Sequence, residues 1–221
     1  MSDEYRIDKR NKVRQIREKA RYEKKVVHEI LDAAVICHVA FVEDGAAVVV
    51  PMLYGREGET LYLHGARKAR VIRMLEQNEQ VSMNVTIVDA LVLARSAFNS
   101  SMNYRSVTVF GKPRLIDDWD QKLHAMQVIT EHAIPGRWNE LRAPLDKEVK
   151  MTGVIAIDIE SASAKISDKQ YPEDEAEDYA IPVWAGILPM QSAYTTLRDA
   201  DRLIDGVEPS AAMRALEGKK L

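Results

Sequence analysis

The stretch 35–54 decides the architecture: VICHVAFVE (35–43), then Asp44-Gly45, then AAVVVPMLY (46–54). Two apolar, β-branched runs flank a dipeptide that accepts positive φ at both positions, as a type I′ hairpin turn demands. Working outward, a second turn at Arg56–Glu59, with Gly55 before it and Gly58 within it, leads into a strand at Thr60–His64. Val81, Met83, Val85 and Ile87 alternate with Ser82, Asn84 and Thr86, the pattern of a half-buried strand. Further strands are expected at Arg105–Ile116 and Val154–Glu160. Short turns between many strands, with few long helices, favour an antiparallel sheet or barrel over a doubly wound fold. The fold class is β-rich α+β.

Helical signals surround this sheet. The first 28 residues hold ten basic side chains against five acidic ones, without Pro or Gly. Ile7, Val13, Ile16 and Ala20 give them a thin apolar stripe, and Tyr22–Ala34 gives a better one through Val26, Val27, Ile30 and Leu31. Arg67–Asn78 carries Val71, Met74, Leu75 and Asn78 on one face. Asp117-Asp118 caps a helix to about His132, with Trp119, Leu123, Met126 and Ile129 or Thr130 inward, and Pro135-Gly136 stops it. The expected organisation is one domain over 1–221. N-terminal helices occupy 1–34, and a barrel spans 35–167 with helices inside 67–78 and 117–149. An acidic loop and tail occupy 168–221.

Composition narrows the class. Lys plus Arg number 31 and Asp plus Glu 34, a net charge of −3, which disfavours a strongly basic nucleic-acid binder. Cys37 is the one cysteine, so no intrachain disulfide or cysteine zinc site can form. The longest apolar run, 46–54, falls far short of the ~20 residues that span a bilayer. The charged N-terminus lacks a secretory pattern, and a soluble, cytoplasmic protein is expected.

LYLHGARKAR (61–70) is the segment richest in chemistry. A strand ends near a glycine, and Arg67, Lys68 and Arg70 follow at a helix start, where backbone N–H groups and guanidinium forks suit a phosphate. Cations there oppose the helix dipole, so helix stability alone would not select them. A solvated basic face is the other reading. NSSMNYRS (99–106) is a second polar cluster, equally readable as loop and cap residues. The histidines (28, 38, 64, 124, 132) have no compact metal-ligand spacing, so no metal is expected. The acidic run 173–178 reads as a solvated loop, and Trp184 as a core or interface anchor.

Taken in order, HGARKARVIRMLEQNEQVSMNV (64–85), LVLARSAFNSSMNYRSVTVFGKPRLID (91–117), EHAIPGRW (131–138) and VWAGILP (183–189) resemble the pyridoxamine 5′-phosphate oxidase-related flavin-binding proteins, nearest to the Nim-type nitroimidazole-resistance subgroup. The resemblance implies an antiparallel split β-barrel (the FMN-binding split barrel) with flanking helices, dimerised with FMN in clefts between the subunits. The oxidase's phosphate-binding Ser-Arg-Lys falls on Ala69, Arg70 and Val71, so only the arginine remains, with Arg67 and Lys68 one turn earlier. The strand beside the flavin ring corresponds to Val49, Val50, Pro51, Met52, Leu53 and Tyr54. His64 and Gly65 correspond to the flavin-touching strand-end pair, with Ala66 beside them as a further candidate, Ser106 to the family's glutamine, and Trp184 to a tryptophan from the other subunit. The oxidase's basic substrate contacts are replaced by Val49 and Tyr54, which argues against oxidation of pyridoxamine phosphate.

The implied function is an FMN-dependent oxidoreductase, a homodimer passing electrons from NAD(P)H to a small organic acceptor, with His64 as a candidate proton donor. Non-enzymatic FMN storage or sensing is the alternative. A regulator whose basic N-terminal helix binds nucleic acid is a third reading. Related folds also hold deazaflavin or haem, with His64 or His38 as axial candidates.

Overall fold

The computed structural model describes residues 3–220. In chain order its elements are β1 (Ala20–Arg21), α1 (Lys24–Ala33), β2 (Ile36–Glu43), β3 (Ala46–Glu57), β4 (Thr60–Ala66), α2 (Arg70–Gln77), β5 (Val81–Leu93), β6 (Ser101–Ile116), α3 (Trp119–Ala133), α4 (Asp146–Met151), β7 (Thr152–Ser167), β8 (Gly186–Pro189) and α5 (Ala211–Arg214). All strand pairings are antiparallel, in the order β1-β7-β4-β3-β2-β5-β6, and β6 pairs β7 again, so six strands close into a ring.

The hairpin forms as its sequence dictates. Asp44 and Gly45 have φ of 50° and 78°, and Glu43 pairs with Ala46 across them. Alternation then decides what lies inside. Leu61, Leu63, Met83, Val85, Val107, Val109, Ile155 and Ile157 point into the ring and are buried. Burial contributes about 1.5–3 kcal/mol for each large aliphatic side chain. Helix α2 adds Ile72 and Leu75 to this core. Gly65 and Gly153, partners across β4 and β7, leave room for Ile72, whose side chain lies 3.3 Å and 2.6 Å from where their Cβ atoms would be. On the other side of the sheet, α3 packs so tightly on β3 that a Cβ at Gly55 would lie 2.8 Å from the backbone of Ile129.

Three helical expectations need correction. No helix forms over residues 3–21, because their apolar stripe is too thin to bury. They run as an extended arm with one short 3-10 turn (Arg17–Lys19), and β1 pairs with β7. Tyr5 and Asn11 anchor the arm. The Tyr5 hydroxyl donates to Glu59 at 2.6 Å, and the Asn11 amide donates to the carbonyls of Arg6 and Ala162 at 3.0 Å. The helix expected from residue 67 begins at Arg70, with Ile72 and Leu75 as its buried pair. The helical region 117–149 is two helices separated by Ile134–Leu145. Asp118 caps the first, accepting the Gln121 amide at 2.9 Å, as the sequence signals. That helix turns Lys122, Ala125 and Ile129 inward while Trp119 stays 36% exposed, because the face that meets β3 is the one whose backbone at Ile129 lies against Gly55.

The acidic loop is not simply solvated. The Asp174 carboxylate has no exposed surface and accepts the Arg95 backbone amide and its guanidinium, both at 2.8 Å. In the polar cluster 99–106, which enters β6, Asn103 exchanges two hydrogen bonds with the Lys169 backbone, at 2.7 and 2.9 Å, and thereby also holds this loop. No helix among the described residues is long and apolar enough to cross a membrane.

Candidate functional site

The ring is opened at one place. β3 and β4 pair from Glu57–Thr60 only as far as Tyr54–Leu63. Beyond that pair β4 continues with β7, and residues 46–53 of β3 have β2 as their sole strand neighbour among the described residues. The other edge of 46–53 is therefore a row of unpaired backbone groups. Pro51, which cannot donate to a ladder, stands in this stretch, where a proline is tolerated.

The helix start closes the far end of the opening. Ala69, which has no side-chain acceptor, is the N-cap of α2, so the first-turn amides have no side-chain cap. Arg70 begins the helix and pairs through Nε with Glu43 at 2.6 Å, at the hairpin where β3 starts. Its guanidinium holds the Glu43 carboxyl below the usual carboxylate range. Arg67 pairs with Glu76 at 3.0 Å, and Lys68 is exposed. The unpaired edge is thus bounded by the Tyr54–Leu63 split at one end and by Arg70 at the other.

The expected site residues separate into three groups. Val49, Pro51 and Leu53 face outward and exposed, while Val50 and Met52 pack against the core. The Tyr54 side chain points into the core. It is fully buried, its hydroxyl donates to the Leu31 carbonyl, and burial pushes its pKa up. The missing side chain of Gly65 also leaves room for Ile72, whose Cγ1 lies 3.3 Å from where a Cβ would be. His64, Ala66, Arg67, Lys68, Ala69 and Arg70 remain together at the opening. Ser106 and Trp184 do not join them within one chain. Ser106 pairs with Thr86 and Lys165 on β6, and Trp184 is 68% exposed just before β8, which joins the far end of β5.

Tyr54→Phe separates these roles. Losing the hydroxyl orphans a buried carbonyl, so unfolding stability should fall by about 1–3 kcal/mol, read by urea denaturation. Flavin uptake by the variant should match that of the parent protein.

The histidines divide usefully. His28 contacts the Tyr5 hydroxyl at 3.1 Å, His124 pairs with Glu57 at 2.7 Å, and His132 bonds the Ala34 carbonyl at 2.8 Å. His38 and His64 have no hydrogen-bond or ion-pair partner among the described residues. His38 lies opposite Pro51 and Asn84 on the outer face of β2, and Ile36 and Val42 on that face are 52% and 57% exposed. His64 stands at the split with its edge open to solvent, and desolvation holds its pKa below the usual histidine value. Sequence spacing could not separate these two from the other three, because their partners come from distant strands and loops.

A closed antiparallel ring opened along one strand edge, with a cationic helix start beside the opening, is a split β-barrel of the flavin-binding type. Residues 23–166 match the sequence model of the family described as pyridoxamine 5′-phosphate oxidase, and the chain belongs to that family. No curated protein matches the sequence. Among solved structures, the flavocytochrome Anf3 from Azotobacter vinelandii is 33% identical, with TM-score 0.88 over 95% of this chain and 97% of that one. The FAD and haem binding protein from Mycobacterium smegmatis is 34% identical, with TM-score 0.85 over 90% of this chain and 98% of that one. A candidate 5-nitroimidazole antibiotic resistance protein from Bacteroides thetaiotaomicron is 26% identical, with TM-score 0.58 over 66% of this chain and 86% of that one.

Proposed function

We propose that this protein is a flavin-dependent redox protein that acts as a homodimer. The observation that carries the reading is the unpaired edge of residues 46–53, ending at an arginine-bearing helix start. The donor set fits a flavin phosphate. Arg70 presents a guanidinium whose present partner, Glu43, is displaceable, Lys68 adds charge, and the uncapped first-turn amides of α2 add donors. The backbone edge at Val49–Leu53 offers donors and acceptors to the polar rim of the ring, and the outward side chains of Val49 and Leu53 offer apolar contact. Bound flavin supplies hydride acceptance and stepwise electron release, and the protein supplies binding and orientation. His64, unpartnered and held largely neutral, is the residue available to exchange a proton at this opening.

A second subunit completes the site in this reading. Ser106 and Trp184, remote from Arg70 in one chain, reach the flavin of the partner. The apolar outer face of β2 and β3, with Val49 60% exposed, is the surface that a partner would cover. FMN is the flavin implied by the family resemblance, whereas the M. smegmatis relative is named for FAD, so either flavin is accepted as the cofactor of this reading.

A haem alongside the flavin is a second reading, favoured by the names of the two relatives that match nearly the whole chain. The residue that fits it is His38, a free imidazole on an apolar face. The protein as purified should show flavin absorption bands, bleached by NADPH without oxygen. A Soret band lost in His38→Ala would add the haem. A colourless protein that takes up neither FMN nor FAD refutes the proposal.

A further inference from the structure

We infer that the chain carries a second small-molecule site, for a flat apolar molecule bearing one anionic group, in the gap between β2 and β8 on the edge of β5. The gap is a consequence of topology. β6 occupies one edge of β5 along almost its whole length. The other edge is shared: β2 pairs with residues 82–84, and β8 pairs with residues 90–93. Between them the edge of residues 85–88 has no strand partner among the described residues, and the Asp89 carbonyl is reached by the Met190 amide at 2.9 Å.

The space beside this edge is a cleft of about 510 Å³, within the ~300–1,000 Å³ usual for small-ligand sites. Ile36, Ile87, Val88 and Met190 line it with apolar surface. Its outer wall is the C-terminal tail, folded back so that Gln191 and Ser192 stand beside Lys220, and Ala193 bridges to Lys220.

Charge sets the ligand class. Among the described residues that line the cleft, two are ionisable, Asp89 and Lys220. Asp89 is the extra residue of a β-bulge, which turns it toward Arg105, and the two pair at 2.8 and 3.0 Å. Its negative charge is thereby compensated, and Lys220 has no ion-pair partner among the described residues. The cleft therefore offers apolar walls, backbone groups for a polar rim, and one cation without an ion-pair partner among the described residues.

The test uses 2-naphthoate and its neutral isostere 2-naphthamide, titrated calorimetrically into the purified protein. One naphthoate per chain is expected, with naphthamide about tenfold weaker, the worth of one hydrogen-bonded charge. Lys220→Met should remove that preference and leave naphthamide binding unchanged. Met190→Trp, at a half-exposed position, fills the cleft and should abolish both. Binding that survives Met190→Trp lies elsewhere on the protein and overturns the site. A naphthoate preference that survives Lys220→Met overturns the anionic assignment. Absence of saturable heat with either probe overturns the proposal.

Discussion

Arg70→Ala is expected to weaken flavin binding by at least about 30-fold, because two charge-assisted hydrogen bonds to a phosphate together are worth about 2 kcal/mol or more. Titrating the flavin-free protein with FMN and FAD, followed by quenching of flavin fluorescence, reads this directly. The fold should not suffer. Arg70 is 62% exposed and its one ionic partner is Glu43, and exposed pairs of this kind contribute little to stability. The unfolding transition should therefore coincide with that of the parent protein. Glu43→Gln gives the complementary result. Removing the carboxylate that competes for Arg70 should tighten flavin binding severalfold. Unchanged affinity in Arg70→Ala would remove the arginine from the phosphate role.

Gly111→Ala is expected to produce the largest loss of stability from a single methyl group. The ladder between β6 and β7 shifts register at Phe110/Gly111, and this brings the Asp158 carbonyl against the glycine. A Cβ there would lie 2.2 Å from the Asp158 oxygen and 2.8 Å from Ile157 Cγ2. Neither neighbour can yield cheaply, since one is backbone inside a ladder and the other is a buried side chain. The cost should reach the upper end of the ~1–3 kcal/mol typical of overpacking. Urea denaturation should show a lower midpoint with an unchanged slope. Gly45→Ala at an open turn is the control for what positive φ alone costs, because no atom lies within 4 Å of its added methyl.

Much of the fold was legible in residue order because its causes are local. The hairpin at Asp44-Gly45 follows from two adjacent residues that accept positive φ. The alternation of Val81, Met83 and Val85 marks the buried side of β5, and Asp118 marks the start of α3. The basic segment at 67–70 was visible as a helix start after a strand, and the structure brings Arg70 to the mouth of the opened ring. The N-terminal arm was misread for a physical reason. Residues 3–21 have enough charge and no breaker, so helix is locally permitted, but Tyr5 and Asn11 find partners on Glu59 and Ala162 only when the arm is extended. The direction of the Tyr54 side chain was not legible either, since a strand residue's face depends on register and the structure turns it inward to Leu31.

By itself the sequence determined the strand-rich class, the turns, the cap of α3 and the cationic helix start, all of which depend on φ preferences, alternation and side-chain chemistry within a few residues. Tertiary structure alone decided where the ring opens, which histidines are left without partners, and where β2 and β8 stop short of each other on β5. These features arise where strands distant in sequence do or do not meet. Pairing, and the absence of pairing, is a property of two segments at once, and neither segment carries it alone.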